Sequence, residues 1–212
     1  MLQRLLGNIT GMVTASILPQ TAALDPAVDR ILDAAADLFE DVGIRRATIE
    51  DIARRAGVDR VTVYRRAGSK NDVASAVIAR DAARLFERVA ASVAVKESLE
   101  DRVVAAFIGL MHGLRDHALF NRLVRLEPDE TLPKVTTEAS AMLTMGIQWA
   151  VQVLLPPKAG ARAHADLSAR IEIVARFIHS SMLTKQGVID LETDRQLSTF
   201  ARRYIVPIVT GP

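Results

Sequence analysis

At 212 residues, half hydrophobic and a quarter charged, the chain is long and apolar enough to bury a sizeable core, which excludes a disordered protein. It has no cysteine, which excludes disulfides and thiolate chemistry and fits a cytoplasmic location. The formal net charge of +2 does not by itself announce a nucleic-acid binder, so the placement of the charges has to decide.

Residues 1–24 hold Arg4 ahead of a mildly apolar stretch and an Ala22-Ala23 pair, a weak imitation of a signal peptide. Asn8, Thr10, Gly11 and Thr14 interrupt its apolar character, so an N-terminal arm or tail is the expectation. Asp25-Pro26 then reads as an N-cap followed by proline at the first helical position. Val28, Ile31, Leu32, Ala35, Leu38 and Phe39 make one apolar stripe, and Gly43 closes the helix. Asp25, Asp29, Asp33 and Asp37 lie four apart on the opposite side and read as a solvated face rather than a metal or acid–base cluster.

The stretch from Thr48 to Lys70 is the most informative. Thr48 followed by Asp51 is a capping-box pattern, and Ile49, Ile52, Ala53 and Ala56 fall at helical spacing behind it. Gly57 sits where a helix ends, Val58 plugs the corner, and Asp59 caps a second short helix of Arg60, Val61, Thr62, Val63, Tyr64 and Arg65. Two helices around a glycine turn make a helix-turn-helix, whose second helix enters the major groove of double-stranded DNA. The charge distribution agrees. From residue 25 to 41 the acids Asp25, Asp29, Asp33, Asp37, Glu40 and Asp41 stand against Arg30 alone. From residue 45 to 70 the bases Arg45, Arg46, Arg54, Arg55, Arg60, Arg65, Arg66 and Lys70 stand against Glu50, Asp51 and Asp59.

Ser69 and Asp72 repeat the capping box and open a long helix through about Val93. Ser98 and Asp101 repeat it for a helix carrying Val103, Val104, Phe107, Ile108, Met111 and Leu114. A shorter segment follows around His117–Leu126. Pro128 and Pro133 mark a loop and the start of a helix running to Leu155. Its apolar stretch from Ala139 contains Gln148 and Gln152 and falls short of the roughly 20 residues that span a bilayer, so a buried core helix is expected and no membrane partner. Pro156 to Gly160 is a loop, Ala165 to Lys185 a helix with Leu167, Ile171, Val174, Ile178 and Met182 on one side, and Thr193 to Val206 a last helix. The expected fold is all-α, with about nine helices. It divides into an arm (1–24), a helix-turn-helix domain (25–72) and a second helical domain (73–212).

Ala34-Ala35, Leu38-Phe39, Gly43, Thr48, Ile52-Ala53, Ala56-Gly57-Val58, Thr62, Tyr64 and Ser69-Lys70 occur in the order and spacing of one family. From Ile31 to Val73 the chain resembles the tetracycline-repressor (TetR) family of transcriptional regulators. The remaining two-thirds resemble that family only in architecture. The resemblance implies that Tyr64 and Lys70 grip phosphates. The residue types add that Arg60 stands where a side chain reaches a base edge or a phosphate, an arginine preferring guanine O6 and N7. Thr62 offers a hydroxyl, and Lys70 sits at a helix start that favours an anion. Thr48 caps its helix and donates to a phosphate. Arg45, Arg46, Arg55 and Arg65 position the duplex rather than read it. Two departures stand out: Val61 replaces a common glycine, and Ala67 stands where an aromatic usually packs the recognition helix. The smaller residue forfeits about 2–4 kcal/mol of packing unless another side chain fills the space.

The resemblance further implies a homodimer joined by the last two long helices and a palindromic operator. It also implies release by a small effector held in the second domain. Candidates for a hydrophobic lining are Phe107, Met111, Phe120, Met142, Met145, Trp149, Phe177 and Met182, with His112, His117 and His179 to orient a polar group. Taken singly, each of these residues reads first as ordinary core. No cofactor or metal site is expected, because His112 and His117 miss the i, i+4 spacing and no cysteine joins them. An enzyme is not expected, since no nucleophile elbow, phosphate-binding loop or His-Glu-x-x-His occurs. The alternative reading is a helical DNA-binding protein without a ligand, a constitutive repressor or an architectural factor.

Overall fold

The computed structural model describes residues 25–156 and 159–211, and among these every regular element is a helix. Ten helices follow in order: α1 (Pro26–Val42), α2 (Ile49–Ala56), α3 (Arg60–Ala67), α4 (Lys70–Ala94), α5 (Leu99–Arg115), α6 (Ala118–Leu126), α7 (Pro128–Lys134), α8 (Ser140–Leu154), α9 (Ala161–Leu183) and α10. The last begins as Asp194–Phe200, passes through a π-helical turn at Ala201–Ile205 and ends as Val206–Thr210. The expected arm, residues 1–24, and Pro157-Lys158 of the expected loop lie outside the described residues.

The described chain forms two compact units. One comprises residues 25–84 and 116–138, the other residues 85–115 and 139–211. The first unit therefore runs past residue 72 along α4 and takes in α6 and α7, which the sequence reading grouped with the second domain. Its core is Ile31, Ala35, Phe39, Ile52, Val63, Val73 and Val77, joined by Leu119 and Leu123 from α6. The stripe of α1 supplies four of its best buried members, Ile31, Leu32, Ala35 and Phe39. In the second unit Leu85, Val89, Val103, Phe107, Trp149, Ile171, Ile178, Leu197 and Ile205 belong to one cluster. Trp149 stacks on Phe86 with ring centres 4.8 Å apart, and Phe177 stacks on Phe200 at 5.0 Å. No single helix among the described residues is long and apolar enough to cross a membrane, and the apolar stretch of α8 buries Trp149, Ala150, Val151 and Leu154.

Three local expectations are corrected. Pro133 does not start a helix. Pro128 occupies the first position of α7 and Pro133 lies inside it, one residue before its end, so the missing N–H interrupts little. The next helix begins only at Ser140, behind Ala139, which offers no side-chain cap. The last helix does not stop at Val206 before Pro207. The π turn, with the Val206 N–H donating to the Ala201 carbonyl, widens the helix just ahead of the ring and carries it on to Thr210. Finally, the aspartate face of α1 is not wholly solvated. Arg80 of α4, its side chain only 8% exposed, lies 2.9 Å from Asp33 and 3.9 Å from Asp29, and also donates to the Asp29 carbonyl.

Candidate nucleic-acid interface

The helix-turn-helix is assembled by local capping. Thr48 has extended backbone angles, and its hydroxyl accepts the Asp51 N–H at 3.1 Å while donating to the Asp51 carboxylate at 2.6 Å. Those hydroxyl contacts, followed by Arg54, hold the Asp51 carboxyl below its ordinary range. At the other end of α2, Gly57 adopts the left-handed conformation (φ 67°, ψ 35°), and the Val58 N–H reaches back to the Ala53 carbonyl at 3.0 Å. This is a Schellman ending, and glycine accepts it without a Cβ penalty. Asp59 then caps α3, accepting from the Thr62 N–H at 2.7 Å and from the Thr62 hydroxyl at 2.8 Å. Both bonds lower the Asp59 pKa. Thr62 thus spends its hydroxyl on the cap of its own helix.

Val63 is the one buried side chain of α3 and has no exposed surface. With that residue fixed inward, Arg60, Val61, Tyr64 and Arg65 emerge on the open side of the helix, one turn apart in two pairs. Val61 is 71% exposed and Tyr64 45% exposed, an uncommon cost for large side chains on so short a helix. The Arg60 guanidinium lies 5.3 Å from the Tyr64 ring centre and 2.5 Å from a carboxylate oxygen of Glu50 on α2. Arg46 and Arg65 are exposed and make no ion pair with another described residue, as does Arg45 in the same α1–α2 connection. Lys70 opens α4, and its ammonium donates to the Arg45 carbonyl at 3.0 Å. Ser69 and Asp72 complete a reciprocal cap around it, which keeps the Asp72 carboxyl low. Arg55 is paired with Asp41 at 2.8 Å, Arg54 with Asp51, and Arg66 with Asp25.

The candidate residues Arg45, Arg46, Thr48, Arg60, Val61, Thr62, Tyr64, Arg65 and Lys70 therefore all belong to the first unit, on the α1–α2 connection, α3 and the first residue of α4. Ala67, where an aromatic was expected, is half-buried and packs against that unit's core. At the same end of α3, Arg66 pairs with Asp25. Sequence reasoning missed Glu50 as a partner of Arg60, and missed Arg122 and Glu127, which reach the α1–α2 connection from α6 and its end.

The hydrophobic candidates scatter. Phe107, Met111 and Trp149 are buried in the second unit's core, with Phe177 half-buried against it. Met145, His179 and Met182 are half-buried, and Met142 is 37% exposed. Phe120 belongs to α6 in the first unit, where the His117 ring caps that helix by accepting the Phe120 N–H at 3.3 Å. His112 lies 2.5 Å from the Asp194 carboxylate. A surface groove of about 350 Å³ in the second unit is lined by Ser92, Lys96, Asp101, Val104, Ala105, Ile108, Gly109 and Arg202, none of them candidates.

Residues 31–77 match the family model described as bacterial regulatory proteins, tetR family. An uncharacterized HTH-type transcriptional regulator of Mycobacterium tuberculosis, Rv2250c, is 38% identical over 76 residues, covering 36% of this chain and 40% of that one. The chain thus spans well under half the length of this mycobacterial relative. TtgW of Pseudomonas putida, also an uncharacterized HTH-type transcriptional regulator, is 32% identical over 102 residues, covering 48% of this chain and 75% of the relative. Among solved structures, the TetR family repressor AlkX from Dietzia sp., implicated in biodegradation of n-alkanes, superposes with a TM-score of 0.59 at 21% identity, over 85% of this chain and 94% of that one. The capped helix-turn-helix, the residues around it and these matches lead to one assignment: the chain belongs to the TetR family.

Proposed function

We propose that the chain is a DNA-binding transcriptional regulator that lays α3 in the major groove of its operator. The observation that carries this reading is the two-sidedness of α3. Its single buried residue, Val63, turns Arg60, Val61, Tyr64 and Arg65 outward, flanked by Arg45, Arg46, Thr48 and Lys70. Arg60 and Val61 are suited to base edges; the Tyr64 hydroxyl and the remaining cations are suited to phosphates. Thr48 and Thr62 support their helices, because their hydroxyls are already engaged by Asp51 and Asp59.

In this reading the protein acts as a homodimer through α9 and α10, each protomer taking one half of a palindrome. A small hydrophobic effector releases it by binding better to the conformer with wrongly spaced recognition helices. The ligand-independent alternative is favoured by one observation, the burial of Phe107, Met111 and Trp149 in packed core. Thermal shift with a panel of hydrophobic compounds, read alongside Trp149 fluorescence, separates the two.

The DNA reading is tested by footprinting the divergent or neighbouring promoter and then titrating the protected duplex at several salt concentrations. Tyr64→Phe and Lys70→Ala weaken binding across sequences, and the lysine change lowers the salt slope by about one unit. Arg60→Ala also relaxes base preference. Unchanged affinity in all three would refute this placement of the recognition helix.

A further inference from the structure

We propose that Glu127 and Arg122, some 80 residues beyond the helix-turn-helix, are positioning residues for DNA binding. They hold the α1–α2 connection, which presents Arg45 and Arg46 and to which Lys70 of α4 is bonded. The inference rests on the DNA-binding reading above.

The end of a helix leaves carbonyls without partners, and the turn after it leaves an amide without one. The α1–α2 connection has both, and α6 supplies the complement of each. Arg122 spreads its guanidinium over the end of α1, donating through Nε to the Glu40 carbonyl at 2.7 Å and through Nη2 to the Asp41 carbonyl at 3.1 Å. A cation at a helix C-terminus also faces the negative end of the helix dipole. Five residues on, Glu127 Oε1 accepts the Arg45 N–H at 2.7 Å.

Glu127 is the one charged residue among those described that is buried as a whole residue, at 8% exposure. Its position ends α6 and precedes α7, yet its carboxylate caps neither helix; it is spent on the distant turn. Gly43 makes the approach feasible. A Cβ there would lie 2.2 Å from Glu127 Oε1, and Gly43 itself is at φ 85°. Three side chains thus converge on the end of α1 and the connection that follows it, because Lys70 bonds the Arg45 carbonyl. The backbone of Arg45 is tied through its N–H to Glu127 and through its C=O to Lys70. Phosphate contacts tolerate little misplacement, since each depends on a cation standing at a fixed point along the duplex.

Neither Arg122 nor Glu127 belongs to the apolar core of this unit, which takes in Leu119 and Leu123 of α6, and the clamp's bonds reach only backbone groups of the connection and of the end of α1. Its loss therefore shows in DNA binding beyond any loss of folded protein. The hydrogen bond asks for an acceptor rather than a charge, so an amide oxygen restores it.

The test measures anisotropy of the promoter duplex footprinted by the wild-type protein, titrated with full-length variants over a range of salt, with thermal unfolding as a control. Glu127→Ala is expected to weaken binding about tenfold and to lower the salt slope by about one unit, the signature of a lost phosphate contact. Arg122→Ala shifts affinity in the same direction, and Glu127→Gln binds at least as tightly as wild type. Should Glu127→Ala fail to fold, Arg122→Ala and Glu127→Gln carry the comparison. Wild-type affinity and slope in both alanine variants would overturn the proposal. So would a variant that merely loses active protein while its folded fraction binds with the wild-type slope. Absence of binding by the wild-type protein would instead sink the DNA reading itself.

Discussion

Val61 and Val63 are chemically the same residue, two positions apart on the same helix, one 71% exposed and the other without exposed surface. Truncating each to alanine removes the same two methyl groups. At Val63 the lost transfer energy is about 1.6 kcal/mol, at roughly 0.8 kcal/mol per buried carbon. Incomplete collapse of the cavity raises that to about 2–3 kcal/mol. At Val61 there is little burial to lose, and the change stays within about 0.5 kcal/mol. Alanine's better helix propensity favours both variants by the same amount, so it cancels in the comparison. Urea titration of full-length protein, followed by far-ultraviolet circular dichroism, measures the difference directly. A Val61→Ala loss equal to that of Val63→Ala would refute the orientation of α3, as would a Val63→Ala loss under about 0.5 kcal/mol.

Glu50 occupies Arg60 with an exposed carboxylate, so Glu50→Gln should raise affinity for any duplex and steepen the salt dependence by up to about one unit. Its thermal stability should barely move, as expected for a surface pair. Gly43→Ala should cost more than about 1 kcal/mol, because the new Cβ meets the Glu127 carboxylate in a backbone conformation that disfavours it. Calorimetry would show this, and an unchanged melting point would disprove the close approach. Asp51, Asp59 and Asp72 all have carboxyls held below their ordinary value by hydrogen bonds from helix starts. Their stabilisation is complete above the unfolded value near about 4 and is lost as pH falls through the depressed folded values. Acid titration of Asp59→Asn, which keeps a good N-cap but cannot titrate, should show a weaker loss of helicity below about pH 4 than wild type.

What the sequence revealed were features whose cause is local. Thr48, Gly57 and Asp59 bond within a few residues of themselves, so their spacing along the chain already contains the geometry. Val63 was legible as part of α3, though not as its sole anchor. What escaped were contacts between distant segments. Nothing in the neighbourhood of Arg122 or Glu127 signals Glu40 or Arg45, and the acidic face of α1 looked solvated until Arg80 arrived from α4. Proline misled at Pro133, because the rule that it starts a helix ignores that it can also sit near the end of one, where little remains after it. The aromatic cluster of Phe107, Phe177 and Phe200 explains why the hydrophobic candidates resisted reading. At helical spacing a core residue and a ligand contact look alike.

The π turn in α10 behaves as an insertion of one residue. Leu197, Ala201, Ile205 and Val209 are all buried and recur every fourth position. In a regular helix that series would rotate away from the core by about 120° over its length. The widened turn absorbs the excess, so Tyr204 stays 48% exposed while Ile205 and Val209 face inward. Shortening the chain by one residue within 201–205 would therefore leave Val206 and Val209 pointing where they do now. The same deletion made earlier in the helix, in 194–200, would swing the downstream side chains out of register with everything they touch. Length in this helix is negotiable at one turn only, and the buried series shows which.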